Sequence, residues 1–235
     1  MKRIVAAVAA VLMLSGTAIA AAATAVPTRQ IGVDGVKLVA PTCPSGATGS
    51  ACTIILPKVT AFATERNVTA NPTTVTASGT ISSFQVGVSE LSSDAKLRSS
   101  YLSGLNASYG GAPQVRLTVL RPRGNPAAER YEVVEQSPVY DLTTDLGKVV
   151  NFKLATPLPV VRGEALALTV PTWAPVLSIK LSTTKFAYRQ SRSSNCAAVP
   201  KTSYAQFHLG NQALYGCTYK GTSVEYSATE QLGAS

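Results

Sequence analysis

Apolar and polar side chains alternate along four short runs of the chain. In the run 84–88, Phe and Val residues alternate with Gln and Gly, and the same alternation recurs at 115–120, 150–154 and 166–170. A period of two over a short run is typical of a β-strand with one buried face, because successive strand side chains point to opposite faces. Each run therefore predicts a half-buried strand.

Turn-forming residues separate these runs. Gly, Pro, Asn and Asp occur at 71–72, 110–113, 122–126, 145–147 and 162–164. These residues favour turns because they adopt backbone conformations, or form local hydrogen bonds, that strands do not use. Many short strands with such turns indicate two packed sheets. We therefore predict an all-β fold, a single β-sandwich domain of the jelly-roll type.

The segment 90–105 departs from this pattern. Leu97, Tyr101 and Leu105 are spaced four residues apart, which places them on one face of a helix. The Ser-Asp pair at 93–94 supplies a residue that could cap its first turn. Three serines and a glycine inside the segment have lower helix propensity. We predict a long loop that carries one short helix.

The first 25 residues have the pattern of a secretory signal peptide. Two basic residues precede an apolar run at 4–14, and small residues follow it. Eleven apolar residues are too few to span about 30 Å of hydrocarbon. Small residues precede two candidate cleavage sites, after Ala20 and after Ala25. We predict a signal peptide over 1–25, a domain over 26–235 and release of the mature chain from the cell.

The four cysteines are predicted to form two disulfides. In an exported chain an even number of cysteines favours disulfide bonds. Of the three possible pairings, Cys43–Cys52 and Cys196–Cys217 are the most local, and the first would strap down the N-terminal segment. A zinc site built from all four cysteines is the alternative, but the chain contains no pair with C-x-x-C spacing.

Trp173 lies between two prolines, at positions 171 and 175. Proline removes a backbone donor, so regular pairing of a central strand is not expected here. A tryptophan held by such a rigid segment has two candidate roles. We expect it to plug one end of the sandwich, and the alternative is a platform on which a sugar stacks.

No sequence motif of a known catalytic mechanism is present. The chain lacks G-x-S-x-G, G-x-G-x-x-G, Walker and H-E-x-x-H motifs. His208 is the sole histidine, so any Ser–His–Asp triad would use it. If 204–209 is a strand, His208 points outward and Phe207 and Leu209 face the core. Carboxylate pairs for glycoside hydrolysis would come from five acidic residues: Glu129, Glu132, Glu135, Asp141 and Asp145.

Positive charge is concentrated in one stretch of the chain. The net charge of +9 becomes +7 when two basic residues leave with the signal peptide. Between Glu164 and Glu225 there is no acidic residue, but there are six basic ones: Lys180, Lys185, Arg189, Arg192, Lys201 and Lys220. Tyr188 and Tyr204 lie in the same interval, and aromatic rings among cations can stack on sugars or bases. We predict that these eight residues form a patch that binds an anionic polymer; an ordinary basic surface is the alternative.

The composition indicates no cofactor. One histidine and 12 acidic residues leave little material for a metal site. Export disfavours intracellular nucleic acid as a partner, and no later apolar run is long enough to span a membrane. The expected function is that of a secreted binding or envelope-associated protein that takes anionic cell-envelope polymers or glycans. An extracellular hydrolase and a purely structural secreted protein are the alternatives.

A resemblance supports this interpretation. It rests on YGGAP at 109–113, LTVLRP at 117–122, QSPV at 136–139, VPTWAP at 170–175, YRQSR at 188–192, Cys196 and YGCTY at 215–219. In this succession the chain resembles a group of secreted actinobacterial proteins of unknown function. The resemblance implies a bacterial, exported, sandwich-like protein, and it implies no catalytic or binding residue.

Export and cleavage lead to a measurable expectation. The mass of the protein recovered outside the cell should show the loss of about 20 to 25 residues, because signal peptides are removed during export. Intact-mass spectrometry of the secreted and cell-bound fractions tests this. Recovery of the mature protein in the membrane with Met1 retained would contradict it.

Overall fold

The computed structural model describes residues 26–43, 52, 54–124, 129–192, 196 and 204–233. About half of the chain is in strands, and there is one helix in the described residues. The elements in chain order are β1 Thr28–Ile31, β2 Leu56–Arg66, β3 Thr69–Ala70, β4 Gly79–Gly87, α1 Ala95–Tyr109, β5 Gln114–Arg123, β6 Arg130–Gln136, β7 Tyr140–Asp141, β8 Val149–Val160, β9 Ala165–Ala174, β10 Leu177–Ser178, β11 Phe186–Gln190, β12 Gln212–Leu214, β13 Thr218–Lys220, β14 Ser223–Val224 and β15 Tyr226–Leu232.

The strands form two main antiparallel sheets. One has four strands in the order β1-β15-β4-β8. The other is a curled nine-stranded sheet whose main path is β12-β6-β5-β9-β2-β11-β13, with β3 paired to β2 and β7 to β5. Strands β10 and β14 pair separately. The prediction of an all-β, sandwich-like fold with two disulfides is confirmed.

The core lies between the two sheets. A single cluster of buried side chains joins Phe84 and Val86 of the four-stranded sheet to Leu117 and Leu168 of the nine-stranded sheet. All four are fully buried, and burial of one such side chain contributes about 1.5–3 kcal/mol. The four alternating runs of the sequence lie in β4, β5, β8 and β9, as predicted.

Strand β9 is buried on both faces, so the prediction that it is half-buried is wrong. Leu166 and Leu168 enter the core between the sheets, whereas Ala165 and Ala167 enter a second apolar cluster on the outer face of the nine-stranded sheet. Tyr215 completes that cluster and is fully buried. Alanine and threonine occur on both buried and exposed faces of strands. The alternation in the sequence therefore could not show that the outer face of β9 is also buried.

A row of threonine hydroxyls continues the outer face. The Oγ1 atom of Thr169 lies 2.8 Å from that of Thr60 and 2.7 Å from that of Thr118. The chain at 204–211 crosses this row, and the backbone N–H of Gln206 donates to Thr60 Oγ1 at 3.0 Å. Buried hydroxyls need such partners, so this polar face is a closed network.

The segment 204–209 is not a strand, which corrects the orientation expected from its alternation. Phe207 and Leu209 are 41% and 63% exposed and do not face the core. Gln206 is buried instead, because its amide group donates to the carbonyl of Asn211 at 2.8 Å.

Helix α1 is longer than the short helix predicted within 90–105. The Asp94 carboxylate caps it by accepting the Leu97 N–H at 2.9 Å, and Gly110 ends it with a φ of 81°. Glycine adopts this left-handed conformation without a Cβ clash. Defined caps at both ends allow a serine-rich segment of 15 residues, to Tyr109, to stay helical.

Trp173 fixes the end of this helix to β9. Its indole is fully buried, and Nε1 donates to Asn106 Oδ1 at 3.1 Å and to the Gly111 carbonyl at 3.0 Å. It therefore acts as a plug and is not accessible for sugar stacking. Contrary to expectation, β9 continues through this position, with an irregularity in the paired strand between Pro57 and Val59.

Both disulfides have the predicted local pairing, Cys43–Cys52 and Cys196–Cys217. The described part of the chain contains no helix with the length and apolar character that crossing a membrane requires.

The second disulfide should contribute more to stability than the first. It closes a sequence separation of 21 residues rather than 9. Replacing Cys196 and Cys217 by serine should lower the free energy of unfolding by about 3 kcal/mol, because the longer loop gains more entropy in the unfolded chain. Denaturant unfolding of this variant and of the matched Cys43→Ser/Cys52→Ser variant measures the difference. A larger loss in the Cys43→Ser/Cys52→Ser variant would contradict it.

Candidate functional site

Three of the predicted basic residues meet at one turn. The Gly221 N–H donates to the Phe186 carbonyl at 2.8 Å, and the Leu181 N–H donates to the Gly221 carbonyl at 2.9 Å. Leu181, Phe186 and Gly221 directly follow Lys180, Lys185 and Lys220. These backbone hydrogen bonds therefore bring the three lysines close together. All three lysines are exposed, and none forms an ion pair with a described residue. We call Lys180, Lys185 and Lys220 the lysine corner.

The two arginines of the predicted patch have protein partners. Arg189 forms an ion pair with Glu129. Arg192 is only 8% exposed, and its Nη1 donates to the Tyr219 hydroxyl at 2.8 Å. Lys201 lies outside the described residues. The freely exposed charge among the described patch residues is therefore that of the lysine corner.

The two tyrosines of the predicted patch occupy different surroundings. Tyr204 is 52% exposed and belongs to the segment that covers the outer face. Tyr188, on β11, is 6% exposed and stacks on Tyr219 of β13, with ring centroids 4.9 Å apart and an angle of 21° between the planes. The Tyr188 ring is therefore buried, and it is not free to stack on a ligand at the surface.

A cleft of about 510 Å³ opens beside the lysine corner. Aliphatic side chains form one part of its lining: Ile55, Leu56, Pro57, Val59, Leu177 and Ile179. Hydrogen-bonding side chains form the other part: Tyr188, Gln190, Thr218, Tyr219, Lys220 and Thr222. This size and this mixed lining are typical of small-ligand sites. We call it the tyrosine cleft.

Several polar groups of the tyrosine cleft are left without a protein partner. The Tyr219 hydroxyl oxygen accepts from Gln190 Nε2 at 3.1 Å and from Arg192, which leaves its own proton free to donate. The hydroxyl of Tyr188 and the amide oxygen of Gln190 have no hydrogen-bond partner among the described residues. These three groups line the cleft and are available to a ligand with hydrogen-bonding groups.

The Tyr188 hydroxyl remains a protonated donor. Burial raises the pKa of Tyr188 far above its usual value near 10, and the neighbouring Tyr219 hydroxyl raises it further. The positive charge of Arg192 acts in the opposite direction on this pKa without cancelling the shift. At neutral pH the Tyr188 hydroxyl therefore carries its proton and can donate it in a hydrogen bond.

The alternation of residues at 188–192 is a sequence pattern that could have located part of this site. Tyr188, Gln190 and Arg192 are two residues apart and therefore lie on one face of the extended chain. That pattern groups Gln190 with the predicted residues. Tyr219 could not be located in this way, because it reaches Tyr188 through the pairing of β13 with β11.

The described residues do not give the His208 imidazole the hydrogen-bond partner that a Ser–His–Asp triad needs. His208 is exposed, and its imidazole has no hydrogen-bond partner there. Glu129 is paired with Arg189, and Glu132 lies 2.6 Å from Arg123. The described residues also contain no group of three or more His, Cys, Asp or Glu side chains placed to hold a metal ion.

A second cavity, of about 600 Å³, lies between α1 and the Cys43–Cys52 disulfide. Leu97, Tyr101 and Leu105 line it, which explains their helical spacing. Some of its polar groups have partners, since the Glu90 carboxylate pairs with Arg98, and serine hydroxyls at 89 and 92 accept backbone N–H groups. The tyrosine cleft, which is lined by Lys220 beside the lysine corner, is the better candidate site for an anionic ligand.

Comparison with models of protein families, with curated proteins and with solved structures finds no match for this chain. The geometry of the lysine corner and the tyrosine cleft therefore carries the functional argument.

Alkaline titration should separate buried from exposed tyrosines. Burial raises the pKa values of Tyr188, Tyr215 and Tyr226, so these three should keep their protons when exposed tyrosines ionise near pH 10. The stability linked to these raised pKa values is fully present below about pH 10 and is lost as the pH rises further, because only the unfolded chain ionises there. Phenolate absorbance and circular dichroism, recorded together, measure both effects. Ionisation of all nine tyrosines in one step, with the fold intact, would contradict the burial.

Proposed function

We propose that the chain is an exported, non-enzymatic binding protein that takes anionic cell-envelope polymers or glycans through the lysine corner and the tyrosine cleft. The observation that carries the proposal is a group of three exposed lysines, one of which, Lys220, lines a cleft with free tyrosine and amide groups. Lys220 belongs to both features and connects them.

The charge of this surface favours an anion. The strand register places Glu65 two strands from Lys220, with Ala187 between them, so one acidic residue flanks the corner. Glu65 offsets one of the three positive charges and leaves an excess. Neighbouring cations attract a polyanion by long-range electrostatics, over a Debye length of about 8 Å at physiological salt.

The lining of the cleft favours a sugar as the unit that binds. A sugar ring has an apolar face, which the aliphatic wall at Leu177 and Ile179 can cover. Its hydroxyl groups can pair with the free groups of Tyr188, Gln190 and Tyr219. A cleft that combines an apolar wall with a few polar groups orients such a ligand.

The two disulfides and the signal-peptide pattern support an extracellular location. Disulfides persist in oxidising compartments and are rare in the cytosol. A partner outside the cytoplasm is then an envelope polymer or glycan rather than intracellular nucleic acid.

Removal of the lysine corner tests the proposal. The variant Lys180→Gln/Lys185→Gln/Lys220→Gln should be retained about tenfold more weakly on immobilised polygalacturonate, because three exposed cations that each contribute about 0.5 kcal/mol together approach the 1.4 kcal/mol of a tenfold change. Retention of the wild-type protein should fall as salt rises.

The matched control removes the same charge elsewhere. Lys37, Lys96 and Lys153 are exposed and form no ion pair among the described residues. Their triple replacement by Gln should leave most of the retention intact. Equal losses in the two triple variants would show that only net charge matters and would overturn the proposed site.

A further inference from the structure

Arg192 is a buried cation without an acidic partner. Its side chain is 92% buried, given its exposure of 8%. Its buried Nε has no hydrogen-bond partner, and its guanidinium group donates to the Tyr219 hydroxyl. Charged side chains are rarely buried unless they are paired, because loss of hydration is costly.

No acidic side chain of the chain is the partner of Arg192. All twelve Asp and Glu residues of the chain lie within the described ranges, and none forms an ion pair with Arg192. The other buried arginine, Arg66, is 1% exposed and has its Nη2 atom 2.9 Å from a carboxylate oxygen of Glu225. The fold thus compensates the buried charge of Arg66 but leaves that of Arg192 uncompensated.

The position of Arg192 links this charge to the tyrosine cleft. Its Nη1 lies 2.8 Å from the hydroxyl oxygen of Tyr219, and Tyr219 lines the cleft. Gln190, which also lines the cleft, donates to the same oxygen. The charge of Arg192 is therefore connected to the cleft through one hydrogen bond, to Tyr219. Because Arg192 is buried, its charge interacts more strongly with nearby groups than it would in water.

We propose that the tyrosine cleft contains an anion subsite that selects an acidic sugar, meaning one with an anionic substituent. The Tyr219 hydroxyl donates its free proton to the anionic group, Lys220 faces that group from the rim, and Arg192 supplies the compensating charge from behind. Arg192 acts as a positioning residue, through Tyr219, and does not touch the ligand. This inference rests on the proposed function and adds the class of ligand to it.

The alternative is that Arg192 has only a structural role, and stability distinguishes the two. In Arg192→Gln the side chain stays polar and loses its charge. If the charge serves a ligand, its removal from a buried, unpaired position should leave the stability of the free protein unchanged or raised. If Arg192 serves the fold, the same variant should be less stable than the wild type.

The binding experiment compares two forms of one sugar. A galacturonic acid trisaccharide and its fully methyl-esterified form have the same rings but differ in charge. Calorimetry should show that the wild type prefers the acid by about tenfold, and that Arg192→Gln reduces this preference to about twofold or less. Arg192→Lys, which keeps the charge, should retain most of the preference.

A matched control accounts for net charge. Arg162 is exposed and forms no ion pair among the described residues, so Arg162→Gln should keep the preference of the wild type. Loss of the preference in Arg162→Gln, an unchanged preference in Arg192→Gln, or destabilisation of Arg192→Gln relative to the wild type would overturn the inference.

The remaining outcomes separate this inference from the proposed function. Equal binding of acid and ester by the wild type would overturn the anion subsite and leave a sugar-binding cleft. Binding of neither trisaccharide, with retention on polygalacturonate still dependent on the lysine corner, would also overturn the subsite alone. Absence of both kinds of binding would overturn the subsite and the proposed function together.

Discussion

The groups of the tyrosine cleft depend on the short pairing of β11 with β13. Only three residue pairs form it, and β13 is an edge strand of the nine-stranded sheet. So short a pairing is marginal alone. The Cys196–Cys217 disulfide ends one residue before β13, the rings of Tyr188 and Tyr219 stack across the pair, and Gly221 is hydrogen-bonded at its far end. These contacts hold the cleft and the lysine corner in one geometry.

Polar groups at the tyrosine cleft keep hydrogen-bonding capacity that a ligand can use. On the outer face of the nine-stranded sheet, Thr60, Thr118 and Thr169 form a closed hydrogen-bond network, and Arg66 is neutralised by Glu225. At the tyrosine cleft the tyrosine hydroxyls, the Gln190 amide and Arg192 are only partly satisfied. Buried atoms without a hydrogen-bond partner also occur elsewhere, such as Arg66 Nε and Thr64 Oγ1, so what distinguishes the cleft is that its polar groups line an open cavity beside a buried charge without a carboxylate partner.

Local patterns in the sequence predict local features of this fold. Alternation located strands such as β4 and β8, and cysteine spacing gave the correct disulfide pairs, because both depend on neighbouring residues. Charge counting located the lysine corner but also included Arg192, because burial of a side chain depends on distant strands. The contact of Tyr188 with Tyr219 and the covering of β9 by the chain near Tyr215 are non-local in the same way.

The most direct test of the central claim is a side-chain nuclear magnetic resonance titration of the wild-type protein with the galacturonic acid trisaccharide. We expect saturable shifts of the Gln190 side-chain amide resonances, of the Arg192 Nε–H resonance and of the aromatic resonances of Tyr188 and Tyr219. Saturable shifts confined to Leu97 and Tyr101, which line the cavity beside α1, would contradict the account, as would the absence of any saturable shift.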